Sequence, residues 1–309
     1  MKAVRYHRYG DSDVLVHEEV DRPVAGAGQV VVKVAATSFN PVDATLRSGA
    51  LREVFPLTLP HVPGIDVAGV VAEVGADVTG WREGDAVVAF LPMTADGAAA
   101  EHVAVPAGVL AAAPRTVDLP DAAALPATGL TAWQALFEHA GLEEGRTILV
   151  NGAGGAVGGY AVQLAREAGA VVTATASARS ACRIRSHGVH RVIDYTAGPV
   201  TEAVGERFDV VLNLVPTSPE ETAALVGLVA DGGILVSATT PAPEDATRGV
   251  RTAQVFARSD AAQLSELVAR VDAGRLRIEV ADRRPLADLA AVHDAAAAGR
   301  LPGKTVLVP

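Results

Sequence analysis

Thr147-Ile148-Leu149-Val150-Asn151-Gly152-Ala153-Gly154-Gly155-Ala156-Val157-Gly158-Gly159-Tyr160-Ala161-Val162-Gln163-Leu164-Ala165 is the stretch on which the fold turns. Its first five residues have the apolar run of a buried strand, and the glycines that follow make a tight turn. Gly159 to Ala165 opens a helix, and Ala170–Ala176 is a second strand. The pattern is the dinucleotide fingerprint with its first glycine replaced: Ala153-x-Gly155-x-x-Gly158. In that arrangement Gly155 lets backbone approach a pyrophosphate, and Gly158 lets the helix pack on the strand. Gly152, Ala153, Gly154, Ala156 and Val157 complete the cradle, where free N–H groups and the positive end of the helix meet the phosphates. A glycine turn of another α/β fold could share the spacing. The order strand, turn, helix, strand is what makes the motif specific.

The cofactor type follows from the end of the second strand. A dinucleotide site for NAD places Asp or Glu there, about 20 residues past the motif, for the ribose hydroxyls. Here the chain reads Ala176-Ser177-Ala178-Arg179. A hydroxyl and a guanidinium suit a 2′-phosphate, which points to NADPH. Arg179 could also be a solvated charge at a helix start. The missing acid is the firmer half of the argument.

Around this motif, apolar strands alternate with amphipathic helices. The strands are expected at Arg191–Tyr195, Phe208–Val215 and Gly233–Ala238, and the helices at Val157–Ala168, Ala178–His187, Pro219–Ala230 and Ala261–Ala273. Such alternation predicts a parallel, doubly wound sheet covered on both faces. Upstream the chain is β-rich, with short runs at Val30–Ala35, Ile65–Val74, Asp85–Phe90 and His102–Val105 between turn signals. That spacing predicts a partly closed antiparallel barrel. Helical periodicity begins at Asp121. The tail returns to strands at Leu276–Val280 and Thr305–Val308 around a helix at Leu286–Ala298, so it is expected to rejoin the first domain. The expected fold is α/β: residues 1–120 with 275–309 form a barrel-like domain, and 121–274 a Rossmann domain.

The chain has 309 residues, half of them apolar and a fifth charged, with a formal net charge of −10. This is the profile of a soluble globular protein of two domains. The acidic balance and the lack of a basic stripe argue against nucleic acid. No run approaches the roughly 20 apolar residues of a membrane span, and the N-terminus lacks a signal-peptide core. Cys182 is the single cysteine and can form no internal disulfide. The cytoplasm is the expected compartment.

Several further motifs accompany the glycine turn: Asn40-Pro41-Val42-Asp43 with Arg47-Ser48-Gly49, Pro63-Gly64-Ile65-Asp66-Val67-Ala68-Gly69, Gly84-Asp85-Ala86-Val87, Leu125-Pro126-Ala127-Thr128-Gly129-Leu130-Thr131-Ala132-Trp133, Val192-Ile193-Asp194-Tyr195 and Gly303-Lys304. Together they resemble the medium-chain dehydrogenase/reductase superfamily, and within it the quinone oxidoreductase branch, over nearly the whole chain. The resemblance implies a GroES-like catalytic domain joined to the Rossmann domain, with a small-molecule substrate in the cleft between them, and a homodimer. It also implies that Tyr195 flanks the adenosine phosphate beside Ser177 and Arg179, and that Thr131 lies near the nicotinamide. On the residues alone, Tyr195 could equally be an ordinary strand-end tyrosine.

Zinc-dependent members of the superfamily use Cys, His and Glu at positions that here read Asn40, Ile65 and Asp66. That set supplies one plausible ligand where zinc needs three or four. The four-cysteine zinc lobe is missing too, and the pair His187 and His190 reads as surface, so no metal site is expected. Without a Lewis acid, alcohol oxidation is disfavoured. Hydride addition to a quinone or conjugated enone can proceed with hydrogen bonds to the developing enolate. Asn40, standing where the cysteine would be, is the first candidate for a pocket donor. Asp43 and Arg47 follow, though they could form a turn salt bridge instead. Thr45 stands where many quinone reductases carry tyrosine, which changes one pocket wall. No His or Lys is expected in the pocket, which leaves solvent as the proton source. Two alternatives stay open: an enoyl reductase that tailors a polyketide-like intermediate, and an NADPH-binding sensor or structural protein.

Overall fold

The computed structural model describes residues Met1–Pro309 and divides them into two compact units. One comprises Met1–Ala127 with Arg258–Pro309, the other Thr128–Ala257. The crossings thus lie at 127/128 and 257/258, in place of the expected 120/121 and 274/275. The helix Ala261–Asp272 accounts for most of the difference. Its Asp272 carboxylate accepts the Arg115 and Thr116 N–H groups of the first unit, at 2.7 and 3.2 Å.

In the first unit the β-branched runs form an open seven-stranded sheet. Its order is Asp282–Pro285, Thr305–Val308, Gln29–Ser38, Asp66–Val74, Ala86–Phe90 and Leu110–Ala112, and His102–Pro106 also pairs with Gln29–Ser38. The partly closed antiparallel barrel is therefore corrected: the two outermost strands do not pair, and Asp282–Pro285 runs parallel to Thr305–Val308. Alternate residues Val30, Val32 and Val34 enter a core with Val67, Val71, Val87 and Val103, as the two-residue period of a strand requires. The hairpin Lys2–Tyr6 with Leu15–Glu19 is a separate two-stranded sheet, joined to the rest of the unit by bridges Ala3↔Ala100 and Tyr6↔His61.

Gln29–Ser38 is the hub of this unit, and its pairings bring distant residues together. The tail strand pairs antiparallel through Val306↔Ser38 and Leu307↔Thr37, which continues to Lys304 opposite Asn40. On the other edge Ala36 pairs with Ala68, which continues to Asp66 opposite Ser38. Beyond the strand a helix, Pro41–Ser48, forms within the β-rich third. Proline at its first position and Gly49 in the left-handed region (φ 81°) after its last turn bound it. The expected strand at Leu276–Val280 does not form. The parallel pairing starts at Asp282↔Thr305 and sets the strand at Asp282–Pro285.

The second unit is a six-stranded, wholly parallel sheet in the order Arg191–Asp194, Val171–Ala176, Thr147–Asn151, Phe208–Asn213, Val229–Ser237, Arg251–Gln254. In chain order that is third, second, first, fourth, fifth, sixth, the doubly wound Rossmann arrangement. Arg251–Gln254 gave no apolar signal because it is a half-buried edge. No helix of the chain is long and apolar enough to cross a membrane.

Candidate functional site

In the second unit the glycine turn follows Thr147–Asn151, the strand at which the sheet order reverses. Open α/β sheets bind ligands at such a switch point. Gly152 has φ +94°, a region that favours glycine. A Cβ at Gly158 would lie 2.3 Å from the Gly152 carbonyl oxygen and 2.5 Å from Ala153 Cα, so the helix can approach the strand only without one. A Cβ at Gly155 would meet nothing closer than 3.5 Å, which leaves open space beside the N-terminus of helix Ala156–Glu167. A free helix N-terminus over an open glycine backbone fits a dinucleotide pyrophosphate.

Ser177 stands at the N-cap position of helix Ala178–Ser186, and Arg179 projects, exposed, from its first turn. The strand register pairs Asp194 with Ala176, so Tyr195 and Ser177 leave the sheet from neighbouring strand ends. Tyr195 is half exposed. The nearby Asp194 carboxylate is turned onto its own chain: it accepts Thr196 N–H at 2.9 Å and Thr196 Oγ1 at 2.6 Å, bonds that hold it below the usual range. Thr131 sits partly buried on helix Pro126–Trp133.

Two supports of the turn had no signal in the motif itself. Arg183 Nη2 donates to the Gly154 carbonyl at 2.6 Å. Gly152 N–H donates to Thr175 Oγ1 (2.8 Å), Thr175 Oγ1 to Asn151 Oδ1 (3.0 Å), and Asn151 Nδ2 to Asn213 Oδ1 (2.9 Å). This buried ladder ties the turn to three adjacent strands. Its only trace in the sequence is a set of polar residues at the ends of apolar runs.

The first unit holds a second cluster, built by the register described above. Lys304 Nζ donates to Asn40 Oδ1 at 2.7 Å and to the Phe39 carbonyl at 3.1 Å, and lies 3.4 Å from Asp66 Oδ2. Asn40 Nδ2 donates to Asp66 Oδ2 at 2.8 Å and makes a longer contact, 3.4 Å, with the Ser38 carbonyl. Asp66, fully buried, also accepts Ser38 Oγ at 2.5 Å and Ala127 N–H at 2.7 Å. Burial pulls the Lys304 ammonium below its ordinary pKa, opposed by the Asp66 and Asp43 carboxylates. A lysine therefore stands against Asn40, contrary to the expectation of none.

Asp43 and Arg47 share the helix Pro41–Ser48 but do not bridge each other. Asp43 accepts Asn40 N–H at 2.9 Å and Gly64 N–H at 3.3 Å, while Arg47 Nη1 donates to the Gly10 carbonyl at 2.7 Å. Only 3% of Asp43 is exposed, and burial pushes its carboxyl up to about 7 against the backbone bonds that oppose it. A carboxyl with a folded pKa above its unfolded one binds an extra proton when folded. Its stabilising contribution is therefore present near pH 4 and lost as pH rises through about 7. Melting temperatures of the wild type and Asp43→Asn, compared from pH 5 to 8, should show the wild type losing stability relative to the variant as pH rises. A constant difference would reject the shifted carboxyl.

Zinc would need several nitrogen, sulfur or carboxylate ligands. Of the three positions that would hold it, only Asp66 offers a carboxylate, Ile65 offers no donor, and the Asn40 oxygen faces an ammonium. No grouping of three His, Cys, Asp or Glu side chains in the structure could hold a metal. The residues present do not fit the ion.

Comparison with known proteins gives consistent relationships. Residues 26–115 match the model of the alcohol dehydrogenase GroES-like domain, and residues 187–307 that of a zinc-binding dehydrogenase. The chain is 40% identical over 222 residues to a chloroplast envelope quinone oxidoreductase homolog of Arabidopsis thaliana, covering 69% of this chain and 68% of that one. It is 34% identical to a 2-methylene-furan-3-one reductase of Solanum lycopersicum, covering 100% of this chain and 79% of that one. Among solved structures, the quinone oxidoreductase of Coxiella burnetii superposes with a TM-score of 0.90 at 26% identity, covering 100% of this chain and 99% of that one.

Proposed function

Because the chain belongs to the medium-chain dehydrogenase/reductase superfamily, in its quinone oxidoreductase branch, we propose that it reduces a small quinone or conjugated enone with NADPH and without zinc. The observation that carries this is the open glycine turn at the sheet's switch point, beside a strand end that bears Ser177 and Arg179 in place of an acid. The quinone and furanone reductases among its relatives support the substrate class.

In this reading Gly152 to Gly158 hold the pyrophosphate, and Ser177, Arg179 and Tyr195 surround the 2′-phosphate. Bound there, the reduced nicotinamide supplies a hydride to a carbon conjugated with the substrate carbonyl. The carbonyl oxygen then carries the displaced electron pair, and preorganised donors stabilise it most effectively. Asn40 offers the N–H whose only contact is the long one to Ser38. A proton from solvent completes the two-electron reduction. Asp43 and Arg47, both buried and bonded to backbone, fix helix Pro41–Ser48 behind Asn40. Exposed Cys182, the only cysteine, supports a reducing compartment such as the cytoplasm, and the family resemblance supports a homodimer.

The test is NADPH oxidation by the purified chain with a panel of quinones and enones, with and without a chelator. Saturable NADPH binding with no oxidation would indicate a sensor. Activity lost to the chelator and restored by zinc would reject the metal-free half. The phosphate assignment has its own test. Losing a charged hydrogen bond costs roughly 1.5–3 kcal/mol, about ten- to a hundredfold in affinity. Arg179→Ala should weaken NADPH binding by that factor and leave NADH nearly unchanged in a fluorescence titration. Equal loss for both cofactors would remove Arg179 from the phosphate.

A further inference from the structure

Lysine occurs three times in this chain, and Lys2 and Lys33 are exposed. Lys304 is buried, with 4% of its side chain accessible. An ammonium has three donors and no acceptor. Three oxygens face this one: Asn40 Oδ1 at 2.7 Å, Phe39 O at 3.1 Å and Asp66 Oδ2 at 3.4 Å. A carboxylate, an amide oxygen and a carbonyl form an oxygen cage of the kind that holds a hard cation. Here the cation is covalently part of the chain.

We propose that the Lys304 ammonium is the resident cation of this cage and acts as a positioning residue for Asn40. The proposal rests on the reading of Asn40 as an oxyanion donor. An asparagine amide can sit either way round, and its two ends differ in chemistry. On one side of Asn40 stands a group that only donates, Lys304. On the other stands a group that, ionised, only accepts, Asp66. One orientation satisfies both: oxygen to the ammonium and nitrogen to the carboxylate. The reverse would set N–H against N–H and oxygen against oxygen. The same charge pulls electron density toward Oδ1, which makes the amide N–H a stronger donor, as hydrogen bonds in a chain polarise one another. The residues that replace a metal's ligands thus arrive with a cation of their own, from a strand 264 residues away.

The test is a double-mutant cycle in the full chain, with kcat read beside the NADPH dissociation constant. Lys304→Met keeps most of the length and removes the charge. It should lower kcat about tenfold or more while NADPH affinity moves less than about twofold, the pattern of a lost transition-state interaction. Placed in the Asn40→Ala background, it should add less than about threefold, because groups acting through one another are non-additive. Should the unpaired carboxylate prevent folding, Lys304→Met with Asp66→Asn removes both charges. That variant should fold with a cooperative thermal transition and show the same kcat loss. Wild-type kcat in either folded variant would overturn the proposal, as would full additivity with Asn40→Ala. Normal turnover in Asn40→Ala alone would reject the oxyanion reading itself. Slow Asn40→Ala beside normal Lys304→Met would reject only the inference drawn here.

Discussion

Asn40→Ala should depress turnover of quinones and enones by about a hundredfold or more, the loss of a few kcal/mol seen when one preorganised oxyanion donor is removed. Most of the amide's hydrogen-bonding capacity is already committed. Oδ1 is held by Lys304 at 2.7 Å, and one N–H by Asp66 at 2.8 Å. The other N–H makes only the 3.4 Å contact to Ser38, too long to be a strong bond. Held by those two bonds, the amide keeps that N–H in a fixed direction, preorganised for negative charge that develops beside it, which is the condition for large electrostatic stabilisation. NADPH affinity should barely change, since the assigned phosphate cradle lies in the other compact unit. Steady-state kinetics with a fluorescence titration of cofactor separates the two quantities. Normal turnover, or an equal loss in cofactor affinity, would remove Asn40 from the chemistry.

Asp66→Ala should destabilise the fold by about 3–5 kcal/mol, the range for removing one partner of a buried ion pair. Asp66 is fully buried and accepts from Ser38, Asn40, Ala127 and Lys304. Its removal strands an ammonium in the interior and leaves the Ala127 N–H without its acceptor. Both penalties act in the folded state only, so urea unfolding should show a lower midpoint at unchanged slope. Neutralising both charges, with Asp66→Asn and Lys304→Met, should recover part of the loss because no charge is then left unpaired. A stability within about 1 kcal/mol of wild type for Asp66→Ala, the size of an ordinary substitution, would show that the pair contributes little.

Most of the second unit, though neither its edge strand Arg251–Gln254 nor its bounds, is legible in local sequence. Its strands, turns and helices are local patterns, and apolar runs punctuated by glycine leave few other ways to bury them. The glycine turn was legible because steric demand writes itself into residue identity: Gly152 needs positive φ, and Gly158 has no room for a Cβ. The missing acid at Ala176-Ser177 is equally a local fact. Other features carried no such mark. The β-rich third shows its strands locally, but whether its sheet closes depends on edges that pair or fail to pair far apart in the chain. Helix Pro41–Ser48 is too short for its period to show. Arg183 reads as a helix-surface charge until the helix packs beside Gly154.

The Asn40, Asp66 and Lys304 cluster is the clearest case. Each residue could be quoted from its motif, yet nothing local says that a lysine near the C-terminus completes a cage begun at residue 39. Strand register decides that. Ser38 pairs with Val306, and the strand that starts at Asp66 lies on the other edge. A slip of one residue would turn Lys304 to the opposite face of the sheet. Side-chain identity fixes what a residue can do, but only hydrogen-bonded pairing between distant strands fixes which residues do it together.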